Sequence, residues 1–500
     1  MKKNILLFLS GLLLLSCGDF GEKLLNQQPE TVISEANFWQ DENDFQAASR
    51  EMHARFRFYF GDIIRRFDRD RGMLFDYLIG SMANISQNLL EKACNVQDLS
   101  FSWEFEYNII SQANQILNGI EISGLSRERK DFFRGEALFM RAYVYFYITK
   151  VWGAAPLIKQ DFIQGEMGLT PWQEIQEFIL RDLREAVTLL PRRGKESNQI
   201  PTRGSAYALL AHVCAWKGSL NDEPKLLEEG IRAATEVIEC GDYELAADPA
   251  EVVDKVLKGD SREGIFEIAF YDLKGETNVR GSCMAYICQT YPVLGNATPQ
   301  SKRRMARISN KRVKEVFNTC GTWFDEIFYH FDEMAALPEA TNQGAAYIWK
   351  FRHTLQYEDG PNIGRTRIFD MNEILIRLAD IILLRGEMYA RLGETGKAVK
   401  DLDRIRERCG AAPYSAGEGD VREMIFHQRE QELFLEGLSG RYFDVVRNGL
   451  DYVRKFLPGR FKEVKSLEET QLPVYYKAFY NNPLMEQNRY WNKYPQFIVY

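Results

Sequence analysis

The sequence predicts a mainly α-helical protein, a scaffold of helix pairs interrupted by one irregular insert. Two observations carry that prediction. Apolar residues recur at three- and four-residue spacing over 42–60, 100–122, 128–152, 171–190, 202–217, 372–392, 396–408 and 421–436. Proline stands at the joints, at Pro156, Pro171, Pro191 and Pro201, where its missing amide donor ends one helix or begins the next. Strand signals are confined to short runs such as 264–270 and 347–351. A chain of 500 residues has room for two to four domain-equivalents or one large unit.

The first residues stand apart from that fold. Lys2 and Lys3 precede an apolar run from Ile5 to Leu15, which as a helix spans about 17 Å against the about 30 Å of a hydrocarbon core. Residues 1–16 therefore read as a secretory leader and not as a membrane span. Leu14-Leu15-Ser16-Cys17 resembles the lipobox of bacterial lipoproteins, which implies cleavage before Cys17 and acylation of that cysteine. Each buried methylene contributes ~0.8 kcal/mol, so two or three chains anchor firmly where one barely holds. The mature unit is then 17–500.

Composition narrows the partners. Lys and Arg number 63 against 71 Asp and Glu, a net charge of −8, so a general nucleic-acid binder is disfavoured. Besides Cys17 there are Cys94, Cys214, Cys240, Cys283, Cys288, Cys320 and Cys409, an odd and scattered set without a CxxC pair. Most read as buried small apolar residues; Cys283 and Cys288 are close enough in the chain to pair in a loop. Aromatic residues are abundant, with 32 Phe, 24 Tyr and 8 Trp, and must be divided between core and ligand.

The scaffold covers about 40–260 and 370–450. Gly386, Tyr389, Ala398 and Leu402 fall at offsets 0, 3, 12 and 16, a spacing that resembles a tetratricopeptide helix pair. Ala211, Ala215 and Gly218 repeat the offsets of Gly386, Ala390 and Gly393, so the pairs are degenerate repeats. From 271 to 371 the helical period fades while aromatics persist, including Tyr286, Tyr291, Trp323, Phe324, Tyr329, Tyr347, Trp349 and Tyr357. So long an irregular stretch points to a binding surface.

A search for catalysis finds little. HExxH, GxSxG, Walker A and GxGxxG motifs are absent, and 393–397 (Gly-Glu-Thr-Gly-Lys) reads as a turn between helices. The five histidines, 53, 212, 330, 353 and 427, are isolated and read as surface or satisfied core residues. Asp68, Asp70, Gly72 and Asp76 could hold Ca²⁺ but lack the full spacing of a calcium loop, so no cofactor is expected. No pair among the carboxylates is singled out for glycosidase chemistry.

Several stretches, in order, resemble the SusD/RagB family of surface lipoproteins: QQPETVISEANFWQDENDFQAAS (27–49), YNIISQANQIL (107–117), RGEALFMRAYVYFYITKVWGAAPL (134–157), PTRGSAYALLA (201–211) and EGIFEIAF (263–270). LIRLADIILLRGEMYARLGETGKAVKDLDRIRERCG (375–410), REQELFLEGLSGRYFDVVRNG (429–449) and QLPVYYKAFYNNPLMEQNRYW (471–491) continue the likeness. It is weakest at 61–99 and 271–347. The resemblance implies a SusD-like helical fold and a binding protein, not an enzyme. It also implies an outer-membrane lipoprotein facing the exterior, acting as a lid on a SusC-like TonB-dependent barrel that imports the captured glycan. A peptide-binding lid of the RagB kind is the alternative, and a helical surface glycoside hydrolase a more distant one. Within these motifs Glu430, Glu436, Arg441, Asp444 and Arg447 read as structural ion pairs, and Trp103, Trp152 and Trp172 as packing.

A pyranose presents an apolar C–H face to an aromatic ring and its hydroxyls to polar side chains, each stacked ring adding on the order of 1 kcal/mol. The segments without helical period therefore supply the candidate ligand surface. These are Trp323, Phe324, Tyr291 and Tyr286, with Phe75 and Tyr77 from the early variable stretch, and Arg71 and Asn84 as polar contacts.

Overall fold

Helices α1 (Glu42–Gly61), α2 (Glu104–Ile122), α3 (Arg127–Val151), α4 (Trp172–Leu189), α5 (Arg203–Leu220) and α6 (Pro224–Glu239) make the first half of the scaffold. They belong to a computed structural model that describes residues 38–61, 102–160, 166–194, 197–270, 291–295, 297–301, 307–437, 440–457 and 459–493. Strand β1 (Gly264–Ile268) follows, then the insert with α7 (Asn310–Val316), α8 (Trp323–Ile327), α9 (Phe331–Ala335), β2 (Thr354–Gln356) and β3 (Thr366–Phe369). The second half holds β4 (Glu373–Arg377), α10 (Leu378–Arg391), α11 (Thr395–Arg408), α12 (Val421–Glu432), α13 (Gly440–Arg447) and α14 (Leu450–Phe456). Among the described residues no helix is long and apolar enough to cross a membrane. The mainly α class is as the sequence predicts.

The scaffold is built around α3. From Gly135 to Val151 every residue of this helix is buried: most are apolar or aromatic on every side, neighbours cover it all round, and the charged Glu136 and Arg141 are paired with His53 and Asp182. Close approach depends on small residues. A Cβ on Gly119 would stand 2.3 Å from the Trp39 ring, and one on Gly135 would stand 2.9 Å from Leu190. Small residues serve the same use in two helix pairs: a Cβ on Gly218 would meet Leu227 at 2.9 Å and one on Gly386 would meet the Asp401 Cβ at 3.2 Å, whereas one on Gly393, which Gly218 matches in the repeat, would meet nothing within 4 Å. Gly218 and Gly386 lie where two antiparallel helices of a pair touch.

Three departures from the sequence reading have physical causes. The segment predicted as helix from 372 begins as β4, antiparallel to β1. Both strands are buried along their whole length, and a continuous apolar run carries no period to tell strand from helix. The strand expected at 347–351 is only an isolated bridge between Phe328 and Ile348. Helix α6, which the periodic segments leave out, starts with Pro224 and buries Leu226, Leu227, Ile231, Ala234 and Val237 on one face. Gly393, at φ 77°, makes the turn expected between α10 and α11.

A buried ionic network joins the two halves and the insert. Arg377, wholly enclosed, donates to Glu263 at 2.7 Å, Glu432 at 2.6 Å and Glu436 at 2.7 Å. Arg408 pairs with Glu432, and Lys350 of the insert pairs with Glu436 and donates to the Phe434 carbonyl at 2.8 Å. A second cluster links Arg429 to Asp380 at 2.7 Å and to Asp444 at 3.0 Å, and Arg447 to Glu387 at 2.7 Å. Burial works to raise the Asp380 carboxyl, but His212 and Arg429 beside it hold it well below the usual range. Glu432 is likewise held at about 2 against burial by Arg408 and Arg377. Glu430, Glu436, Arg441, Asp444 and Arg447 are thus structural ion pairs, as their motif suggested, joining helices (Arg441–Glu430), a helix to itself (Arg447–Asp444) and the insert to the scaffold (Lys350–Glu436).

Candidate ligand surface

The insert is held in place before it can present anything. Tyr329 N–H donates to the Tyr347 carbonyl at 2.8 Å and Trp349 N–H to the Ile327 carbonyl at 2.7 Å, tying 327–329 to 347–349. In this extended pairing side chains alternate. Ile348 turns into the core, where it is buried, and Trp349 stands half-buried. Lys350, next in line, is anchored in the ionic network, where burial lowers its ammonium below the ordinary lysine value.

Around this anchor lies a cluster of half-buried rings. Tyr291 meets Tyr329 edge-on at 5.8 Å and Tyr347 at 5.9 Å, and Tyr329 meets Trp349 at 5.2 Å. Tyr347 is buried and fixed by its hydroxyl, which donates to the Pro299 carbonyl at 2.8 Å. Arg352 lies over Trp349 at 5.5 Å and is itself held by Asp254 and Glu326, each at 2.8 Å. Burial, with Tyr291 beside it, pushes the Tyr329 phenol above its ordinary value. The arrangement offers two partly exposed faces, Tyr329 and Trp349, beside a guanidinium. Such a surface stacks on a ring and donates hydrogen bonds at its edge.

The predicted site residues fall in different places. Tyr291 belongs to the ring cluster. Trp323 does not reach the ligand surface: it is 0% exposed, its indole N–H donates to the Gln431 carbonyl at 2.9 Å, and Lys350 stands over its ring. It is a core residue that docks α8 on α12, and a ring enclosed on all sides cannot stack on a ligand. Phe324 is half-buried and turns its ring to Phe328 at 5.4 Å and Phe331 at 5.3 Å, a packing contact within the insert. Tyr286, Phe75, Tyr77, Arg71, Asn84, Cys17, the Asp68–Asp76 cluster, Cys94, Cys283 and Cys288 lie outside the described residues. Among those described, Cys214, Cys240, Cys320 and Cys409 are free thiols and no group of side chains is arranged to hold a metal ion.

Tyr329 and Trp349 join Tyr291 on the candidate surface, although the sequence reading did not single them out for ligand contact. The available signal was the alternation Tyr347, Trp349 beside a buried Ile348, which marks one face of an extended segment. His212 is a satisfied core histidine, bonded to Asp380 at 2.9 Å. His53, half-buried, is bonded to Glu136 at 2.8 Å.

A helical scaffold carrying an aromatic-rich insert is an architecture suited to presenting a binding surface. Two family profiles match the chain, "Starch-binding associating with outer membrane" over residues 73–214 and "SusD family" over residues 296–491. The chain belongs to the SusD/RagB family, a family of nutrient-binding surface proteins associated with the outer membrane. A SusD-like protein of Formosa agariphila is 24% identical, over 98% of this chain and 99% of its own. A SusD-like protein of Bacteroides ovatus is 22% identical, over 89% of this chain and 82% of its own. The fold is that of a SusD homolog from Bacteroides thetaiotaomicron, with TM-score 0.75 at 21% identity over 91% of this chain and 99% of that one. It is also that of B. fragilis NanU, with TM-score 0.70 at 18% identity over 92% and 99%.

Proposed function

We propose that the chain is a lipid-anchored protein of the outer cell surface that binds an oligosaccharide and passes it to a SusC-like TonB-dependent transporter. The observation that carries the ligand class is the Tyr291–Tyr329–Trp349 cluster, with partly exposed rings beside Arg352 on an insert pinned to a rigid scaffold. Rings held from behind lose little side-chain freedom when a sugar lies on them, so each contact is retained as affinity. The family's association with the outer membrane and the Cys17 lipobox support the location.

Glycan-array screening of the full chain, followed by calorimetric titration of the best ligand, tests this. Trp349→Ala is expected to weaken binding by about tenfold, the loss of roughly 1 kcal/mol of stacking plus the buried ring face. Binding of peptides in preference to every glycan, or an affinity indifferent to Trp349→Ala and Tyr329→Ala together, would overturn it.

A further inference from the structure

A groove with a volume of about 1090 Å³ lies on the scaffold, between α1, the start of α3 and the residues just before α5, and no residue of the insert lines it. It has room for a ligand of several sugar units. Arg50, His53 and Arg57 stand in a row along its α1 wall, at helical spacings of three and four, and Arg203 reaches it from the start of α5. Half-buried Phe132, Leu189 and Ile200 give the wall an apolar strip.

Two of these polar groups are held from behind. His53 is bonded through Nε2 to Glu136 at 2.8 Å, and the buried Glu136 also accepts the Ser49 hydroxyl at 2.6 Å. That contact orients the imidazole and leaves its Nδ1 without a partner among the described residues. Arg203 donates through Nε to the Leu190 carbonyl at 3.3 Å. Leu190 packs against Gly135, the neighbour of Glu136, so both groups are fixed at one turn of α3.

The charges of the wall point to an anion. Arg129 is answered by Glu42 at 2.9 Å and Arg192 by Asp242 at 2.6 Å. Arg50 donates to the Gln46 side chain at 3.2 Å and Arg203 to a carbonyl, and among the described residues neither guanidinium meets a carboxylate. Of the acids, Glu136 is taken up by His53 and Ser49. Glu267 is enclosed, bonded to the Asp260 amide and the Asn372 side chain, and pushed up to about 7 by burial. Glu128, exposed in the first turn of α3, is the carboxylate that remains against the two free guanidinium groups. Guanidinium binds carboxylate through paired N–H donors, a fit that a neutral hydroxyl does not match.

We propose that this groove binds the uronate units of an acidic oligosaccharide. Successive carboxylates meet Arg50 and Arg203, a ring hydroxyl donates to His53 Nδ1, and the C–H face of a ring rests on Phe132 and Leu189. The proposal rests on the glycan reading above and adds a charged sugar class at a site separate from the Tyr291 cluster.

The test titrates the full chain by calorimetry with trigalacturonate and trimannuronate, each beside its methyl ester, and with triaspartate as a peptide of like charge. At least one of the acids is expected to bind about tenfold more tightly than its ester, as one charge-assisted contact provides. Arg50→Gln and Arg203→Gln, both at exposed positions, should each weaken the acid about tenfold while leaving the ester and the melting temperature unchanged. Trp349→Ala, in the insert, should leave the affinity for the acid as it is. Acid and ester bound equally or not at all, triaspartate bound more tightly than either acid, or an affinity unchanged in both arginine variants would each overturn the proposal. A neutral glycan whose binding is lost in Trp349→Ala would leave the earlier reading standing through any of those results.

Discussion

Acid should loosen the protein in a window set by its buried network. Glu432 and Glu387 are both fully enclosed, and each is held at about 2, against an ordinary 4.5. For Glu432 burial opposes ionisation, and Arg408 and Arg377 overcome it; for Glu387 Arg447 is the main counterweight. A carboxyl whose folded value is depressed binds its proton more readily when unfolded. Its contribution is therefore complete above the unfolded value and disappears as pH falls toward the folded one. At about 1.36 kcal/mol per unit, each group contributes about 3 kcal/mol at neutral pH, of which about 2 kcal/mol is gone at pH 3. The two together amount to about 4 kcal/mol, a large fraction of the 5–15 kcal/mol typical of folded proteins. Urea unfolding followed by tryptophan fluorescence at pH 7, pH 5 and pH 3 reads this directly. Stability should rise from pH 7 to pH 5, where Glu267, whose carboxyl burial pushes up to about 7, takes its proton, and should fall steeply from pH 5 to pH 3. Glu432→Gln should cost about 3–5 kcal/mol at pH 7, by leaving Arg408 and Arg377 one carboxylate short inside a buried network, and should flatten the acid limb. Because Lys350 ties the insert to the same network, glycan affinity should decline over the same interval. A stability equal at pH 5 and pH 3, or an acid limb as steep in Glu432→Gln as in the wild type, would refute the reasoning.

Other outcomes follow from single contacts. Trp323→Phe removes the indole donor to the Gln431 carbonyl and should lower stability by about 1–3 kcal/mol in thermal unfolding, with glycan affinity unchanged. Gly119→Ala drives a methyl into the Trp39 ring, where the free approach is 2.3 Å, and should cost about 1–3 kcal/mol by the same assay. Gly386→Val, at the contact of α10 with Asp401 and Ala398 of α11 and Ile425 of α12, should be at least as damaging, because its extra methyl groups meet two neighbouring helices. Cys17→Ala should move the protein from the membrane pellet to the soluble fraction in cells; retention in the pellet would argue against lipid anchoring.

The scaffold was legible wherever burial is one-sided. In α4, α6 and α11 an apolar stripe faces the core and a charged one faces solvent, so period alone reveals a helix, although α6 was passed over. Legibility failed where burial surrounds the chain. Residues 373–377 are buried along their whole length, paired edge to edge with β1, and run directly into the apolar start of α10. The glycines of the helix pairs were readable for a different reason. Gly218 and Gly386 sit where helix axes come too close for a side chain, a constraint of backbone geometry that leaves a fixed mark in the sequence.

Aromatic residues in the insert carried no comparable mark. Trp323 and Trp349 share composition, neighbourhood and lack of helical period, yet one is sealed beneath α12 and the other stands half-buried beside Arg352. What separates them is a long-range contact, the carbonyl of Gln431 more than a hundred residues away, which no local pattern announces. Trp103 fails in the opposite sense. Its place four residues before Tyr107 on one helix face argued for packing, and it does pack, but the C-terminal segment carrying Asn482 and Met485 stops short of closing over it and leaves a cavity. A ring's role is thus decided by whether a distant element covers it. For that reason a helical scaffold can be read from its own periodicity, while the ligand surface it supports emerges only once the remote segments that flank each ring are in place.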